Sequence, residues 1–254
     1  MPWPEFSELS FGFSFLREFE RLHTPGGFFP SAPDFISQND EAALGYDVEV
    51  AIEGSAPVFF QFKRSFVLTT HRAGEIQIGD FQHPDLYRMY LHKAGRFRQH
   101  RALRRLEREG NAVFYVTSQI STFGDLTAAY SANNVVQQAA ALFSPTEIRL
   151  PNRAKSHYVT FRAADNFGYV YSEEGVRFRR KFSSWSATRE SIQHGQRTAA
   201  ANRSKLAQIA TRLARGNPEA AQIAERFSHP AIRASVLGFL VLDAQLTFYA
   251  EIAG

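Results

Sequence analysis

EAALGYDVEVAIEGSAPVFFQFKRS, residues 41–65, is the stretch whose reading decides the fold. Asp47-Val48-Glu49-Val50-Ala51-Ile52 alternates acidic and apolar side chains, and Val58-Phe59-Phe60-Gln61-Phe62-Lys63 sets Gln61 and Lys63 two positions apart. A period of two with β-branched and aromatic residues is the pattern of strands. Glu53-Gly54-Ser55-Ala56-Pro57 between them is short and rich in turn formers, so the two runs are predicted to close as a hairpin. Centring the loop near Gly54 sets Asp47 across from Gln61 and Glu49 across from Phe59. One face of the ribbon then carries Asp47, Glu49, Gln61 and Lys63; the other carries Val48, Val50, Ile52, Phe60 and Phe62. A carboxylate, an amide oxygen and an ammonium on one small patch can hold a hard divalent cation beside a reacting oxygen. The plain alternative is a cross-strand ion pair between Asp47 and Lys63, with Gln61 a satisfied polar residue and Glu41 a capping acid.

Working outward, the 254 residues are 44% hydrophobic, enough for a large core or for a main domain with an extension. Phenylalanine is unusually common at 24 residues, and most of these rings are expected in the core. Cysteine is absent, which excludes disulfides, thiolate metal sites and a cysteine nucleophile and fits a reducing, cytoplasmic setting. Pro2-Trp3-Pro4-Glu5 after Met1 lacks the basic and apolar regions of a secretory signal. The longest apolar run, Ala234 to Phe248, is interrupted by Asp243, Gln245 and Thr247 and falls short of the ~20 residues of a membrane span. It is read as a buried helix, and no membrane partner is expected.

Net charge is +4, but its distribution says more. Arg88, Lys93, Arg96, Arg98, Arg101, Arg104, Arg105 and Arg108 lie together with Glu107 as the one acid among them, and Arg177, Arg179, Arg180 and Lys181 form a second cluster. Two local concentrations on a modest total suggest a footprint for a polyanion. The alternative is a solvated helix face and an arginine-rich loop.

In chain order, 9–22 reads as a helix with Phe11, Phe15, Phe19 and Leu22 at helical spacing, followed by an extended or looped 28–38 and the hairpin. Residues 66–85 are irregular, 86–91 a further strand, 95–109 a basic amphipathic helix and 112–116 a buried strand. Residues 125–142 read as helix, 148–150 and 157–161 as extended, and 168–171 as a last strand. After about Phe182 the pattern is helical to the end, with Asn217-Pro218 as a helix start. No Walker A, H-E-x-x-H, nucleotide-binding glycine pattern or nucleophile elbow is present, which weakens NTPase, protease, dehydrogenase and esterase readings.

These residues and this outline resemble the PD-(D/E)XK nuclease superfamily, whose core is a mixed sheet flanked by two helices. There an acid begins the second core strand and an acid-x-Lys triplet lies on the third; Asp47 matches the first and Gln61-Phe62-Lys63 the second. Glutamine in place of the triplet's acid is similar to the Q-x-K variant of Mrr-like enzymes. The resemblance covers about residues 9–120. It implies an α/β, restriction-endonuclease-like mixed β-sheet core, assigned here to a domain over 1–182; beyond the resemblance, residues 183–254 read from their own pattern as a C-terminal α-helical extension, with dimerisation or docking of a partner as a third reading of its role. The resemblance implies a nuclease dependent on Mg²⁺ or Mn²⁺, acting on DNA in restriction or phage defence. Asp47, Gln61, the Phe62 carbonyl and an upstream acid (Glu41, with Glu20 in reserve) would hold the metal, and Lys63 would complete the catalytic set. Arg96, Arg98, Arg101, Arg104, Arg105, Arg179, Arg180 and Lys181 would contact nucleic acid. Gln99 and His100 are expected to point towards the site, whereas His71, His83 and His157 are expected to be structural. The other reading of the departure at Gln61 is a protein that kept the fold, lost the chemistry, and binds nucleic acid or assembles with partners.

Overall fold

The hairpin forms in the predicted register. In the computed structural model, β2 (Val48–Val50) pairs antiparallel with β3 (Val58–Lys63), with Glu49 opposite Phe59 and Val48 opposite Phe60. The structure describes residues 3–23, 27–36, 45–52, 57–70, 73–92, 98–150, 156–163, 165–172, 175–182, 186–190, 192–193 and 222. Upstream, β1 (Asp34–Phe35) adds to β2 with Asp34 opposite Glu49, in a segment read as extended or looped.

β3 runs parallel to β6 (Ala112–Ser118), placing Tyr115 beside Gln61 and Thr117 beside Lys63. A parallel neighbour needs a crossover, and α3 (Arg98–Arg108) lies within it. With β7 (Ala140–Phe143) antiparallel to β6, the first sheet has the order β1-β2-β3-β6-β7. One face is covered by α1 (Glu8–His23). Its Phe15 and Phe19 meet Phe60 edge-on at 5.2 and 4.9 Å between ring centres, and all three rings are buried. The spacing of four between these phenylalanines puts them on one stripe of the helix, which is why the stripe is legible in sequence.

The other face meets α3 and a second sheet. β4 (Ser65–Leu68), β5 (Leu86–His92), β8 (His157–Phe161), β9 (Phe167–Tyr171) and β10 (Gly175–Arg179) form an antiparallel sheet of order β10-β9-β8-β5-β4. Phe59, Tyr115 and Phe143 of the first sheet share one core with Met89, Val159, Phe161 and Val170 of the second and Leu103 and Leu106 of α3. The molecule is thus α/β with two sheets, where the sequence suggested one. The chain leaves β3 and enters β4 across Arg64 alone. A short helix, α2 (Gly74–Gln77), follows β4 in the stretch read as irregular.

The expected helix over 125–142 is divided. α4 (Phe123–Ala132) stops at Asn133, whose φ of 55° is the left-handed C-cap that asparagine tolerates. A π-helical turn, Val135–Ala139, leads into β7. β7 is apolar throughout and buried along its length, so its composition carries no period that separates strand from helix. At the other end of α4, Thr122 Oγ1 accepts the Asp125 N–H at 3.0 Å. Thr122→Ala is expected to lower stability by about 1 kcal/mol, the usual cost of a lost N-cap, read from a chemical denaturation midpoint.

Arg177 and Arg179, for which an arginine-rich loop is the plain alternative, sit on β10. Of the helical extension expected over 183–254, residues 186–190 are helical, and the Asn217 helix start and the apolar run 234–248 lie outside the described residues. Among the described residues, no helix is long and apolar enough to cross a membrane.

Candidate functional site

Asp47 is positioned by the backbone on both sides of it. Gly45 has φ of +92°, and a Cβ there would lie 2.6 Å from the Gln99 carbonyl, so glycine lets the chain press against α3. The Asp47 N–H then donates to the Phe60 carbonyl at 2.9 Å, which extends the hairpin by one residue. The carboxylate turns towards β3. Its Oδ2 accepts the Phe62 N–H at 2.6 Å, and its Oδ1 accepts Gln61 Nε2 at 2.7 Å. The same Nε2 lies 3.3 Å from the Phe62 carbonyl oxygen. Asp47, the end of the Gln61 side chain and the Phe62 carbonyl therefore converge.

Gln61 is fully buried, whereas Asp47 and Lys63 are half-buried. Lys63, one step along the same face, takes part in neither of the ion pairs found among the described residues, Arg88–Glu75 and Arg105–Glu109. The cross-strand Asp47–Lys63 pair weighed from sequence is not formed. Glu49 shares the face. Burial pushes its carboxyl up to about 7; the hydrogen bond from the Tyr46 hydroxyl opposes that and the nearby Asp34 charge adds to it. Asp34 escaped sequence reading because nothing before the β1 pairing brings it near. Among the described residues, no three His, Asp or Glu side chains gather closely enough to hold a metal ion by themselves.

Of the two upstream acids, Glu41 lies outside the described residues. Glu20 is on α1, which covers the opposite face, and its Oε1 accepts the Phe29 N–H at 2.6 Å. That contact ties down the chain after the helix.

His100 does not turn to Asp47. It is buried between α3 and the first sheet, with Nδ1 3.0 Å from the Tyr115 hydroxyl and Nε2 3.0 Å from the Ile148 carbonyl. A carbonyl only accepts, so Nε2 carries the hydrogen, and in the neutral ring Nδ1 accepts from Tyr115. Burial, reinforced by the Asp47 charge, holds the Tyr115 hydroxyl protonated. His157, read as structural, is buried in β8.

The basic residues separate into three groups. Arg98, Arg101, Arg105 and Arg108 are exposed on α3, opposite its buried Leu103 and Leu106, and Arg104 is half-buried among them. Burial and the charges of Arg108 and Arg149 lower the Arg104 pKa, so the α3 face continues electrostatically onto Arg149. Arg88, by contrast, is spent on the buried Glu75 of α2. Arg96 lies outside the described residues. In the second cluster Arg179 and Lys181 are exposed, but Arg180 is 3% exposed. Its Nη1 donates to the Arg162 and Asp165 carbonyls, both at 2.9 Å, and its guanidinium lies over the Phe143 and Phe161 rings. Arg180 is therefore not one of the surface contacts its place in the cluster suggested.

Beside it, Glu147 Oε1 accepts the Lys181 N–H at 2.7 Å, and burial pushes its carboxyl up to about 7. A carboxyl raised from 4.5 is protonated more readily in the folded than in the unfolded chain. Stability is then fully present below pH 4.5 and is lost as pH rises through 7. Glu147→Gln keeps the acceptor and removes the titration. It is expected to raise stability at pH 8 by about 1–2 kcal/mol while leaving it unchanged at pH 4, measured as paired urea melts.

Compared with protein-family models, curated proteins and solved structures, the chain has no match among them.

Proposed function

We propose that the chain is a metal-dependent nuclease hydrolysing phosphodiester bonds, with DNA as the expected substrate, built on a PD-(D/E)XK-like core. One observation carries the reading. The Gln61 side-chain nitrogen lies 2.7 Å from Asp47 Oδ1 and 3.3 Å from the Phe62 carbonyl oxygen, with Lys63 next along the face. Which end of an amide is nitrogen follows from its partners. A half-turn of the amide sets Gln61 Oε1 beside Asp47 Oδ1 and the Phe62 oxygen. Three oxygen donors of that kind suit a hard cation that keeps several waters, so the residues fit Mg²⁺ or Mn²⁺. The topology supports the reading as well. β1, β2, β3 and β6 lie in that order with α1 on one face and α3 on the other, Asp47 enters the second strand, and Gln61 and Lys63 stand on the third.

Bound there, the metal would lower the pKa of a coordinated water and neutralise charge on the phosphate. Asp47 supplies the formal negative charge, and Gln61 and Phe62 supply neutral oxygens. Lys63 orients the attacking oxygen and stabilises the charge that develops on the phosphate. The arginines of α3, continued by Arg149, neutralise flanking phosphates, which gives affinity without sequence choice. A plasmid-nicking assay with Mg²⁺ or Mn²⁺, run beside Lys63→Ala, tests the proposal; product that is absent with the native chain overturns it.

A second reading, nucleic-acid binding without cleavage, is favoured by the complete burial of Gln61 and by the two hydrogen bonds already made by the Asp47 carboxylate. It expects tight, salt-sensitive binding and no metal-dependent product.

A further inference from the structure

A cavity of about 810 Å³ opens beside β10, between that edge strand and the loop holding Thr146, Glu147 and Arg149. Its apolar side consists of Val170, Val176 and Phe178. Val176 is 40% exposed, and Phe178 lies flat across β9 because residue 168 is glycine: a Cβ there would meet Phe178 Cζ at 2.9 Å. Its rim is cationic, with Arg149, Arg179 and Lys181 exposed. Behind them Arg180 is almost fully buried, forms no ion pair among the described residues, and keeps its Nε without a hydrogen-bond partner there. Burial lowers the pKa of this guanidinium, and the Asp165 and Glu147 charges oppose that without closing an ion pair, so its charge is only partly compensated. The one acid among the described lining residues, Glu147, is turned to the Lys181 N–H, and burial pushes its carboxyl up to about 7. The cavity thus combines a strong anion preference with an apolar wall.

We propose that this cavity binds a nucleoside phosphate, its phosphate on Arg149, Arg179 and Lys181 in front of Arg180 and its base against Val176 and Phe178. The volume falls in the range of small-ligand pockets and suits one nucleotide unit. A bare phosphate would leave the apolar wall uncovered, and a bare nucleoside would leave the cations unanswered. The nucleotide can be free or the phosphorylated end of a strand, since both present the same group. This site is separate from Asp47 and Lys63 and does not depend on cleavage.

Calorimetric titration of the full chain without divalent metal tests it. The probes are adenosine and thymidine 5′-monophosphates, adenosine, inorganic phosphate, and a thymidine hexanucleotide with and without a 5′-phosphate. At least one nucleotide probe should bind about tenfold or more tightly than phosphate or adenosine. Arg179→Glu with Lys181→Glu should weaken that binding at least about tenfold, as expected for lost charge-assisted contacts, at an unchanged melting temperature. Both side chains are exposed, so folding is not at stake as it is for Arg180. Binding of the mononucleotides alone makes the site one for a free ligand. Binding only of the 5′-phosphorylated hexamer makes it a strand-end site. Equal binding of phosphate and nucleotides, no binding of any probe, or affinity untouched by the double variant overturns the proposal. Lys63→Ala should bind as the native chain does, which keeps the outcome distinct from that of the nuclease assay.

Discussion

Lys63→Ala is expected to cut metal-dependent cleavage by about a thousandfold, roughly 4 kcal/mol at the barrier, with little change in thermal stability. The asymmetry follows from what surrounds the side chain. Lys63 is half-buried at the end of β3, enters neither ion pair found among the described residues, and projects from the same face as Gln61. Truncation therefore breaks no ion pair among the described residues and opens no large cavity, while it removes a cation from the strand face that carries Gln61. Lys63→Arg should restore only a small part of the rate, because a planar fork does not replace a compact ammonium at a fixed point. The measurement is the initial rate of plasmid nicking in Mn²⁺, with nucleic-acid affinity followed in parallel. Native-like cleavage by Lys63→Ala would remove Lys63 from the mechanism. Loss of affinity together with cleavage would make it a binding residue instead.

The parts of the fold that sequence made legible are those with a strong period. Phe11, Phe15 and Phe19 mark α1, and the acid–apolar alternation of 47–52 against Gln61 and Lys63 marks the hairpin, its register and its polar face. Apolar runs without a period do not reveal their element type. Ala140–Phe143 is buried on both sides and resembles a helix tail, and Ser65–Leu68 is short and follows β3 after one residue. Losing β4 meant losing the second sheet, because only its pairing with β5 shows that 86–92, 157–161 and 167–171 belong to a different layer from β3. At the site, the Asp47–Gln61 contact was legible because period-two pairing fixes it. The roles of Arg88 and Arg180 were not: local composition shows a basic cluster, but Glu75, Arg162 and Asp165, which claim them, reach them only through tertiary packing.

Asp47 is where stability and chemistry are expected to separate. Asp47→Ala removes the acceptor of the Phe62 N–H and one partner of the buried Gln61 amide. Buried donors left unsatisfied cost about 1–3 kcal/mol each, so this variant should lose about 2–5 kcal/mol as well as all cleavage. Asp47→Asn has the same shape and one route to satisfaction. Its amide oxygen can accept the Phe62 N–H while its amide nitrogen donates to Gln61, provided the Gln61 amide makes its half-turn. Stability should then fall by only about 1 kcal/mol, while removal of the formal charge still abolishes metal-dependent cleavage. Paired urea melts and nicking rates separate the two effects. If Asp47→Asn proves as unstable as Asp47→Ala, Gln61 cannot turn, and the amide oxygen cannot join Asp47 and the Phe62 carbonyl around a cation. If instead it is stable and still cuts, the charge on residue 47 is not what holds the metal. In the expected case, a folded Asp47→Asn chain that binds nucleic acid and leaves it intact, the freedom of one buried amide links the hydrogen-bonded hairpin to the oxygen site the chemistry requires.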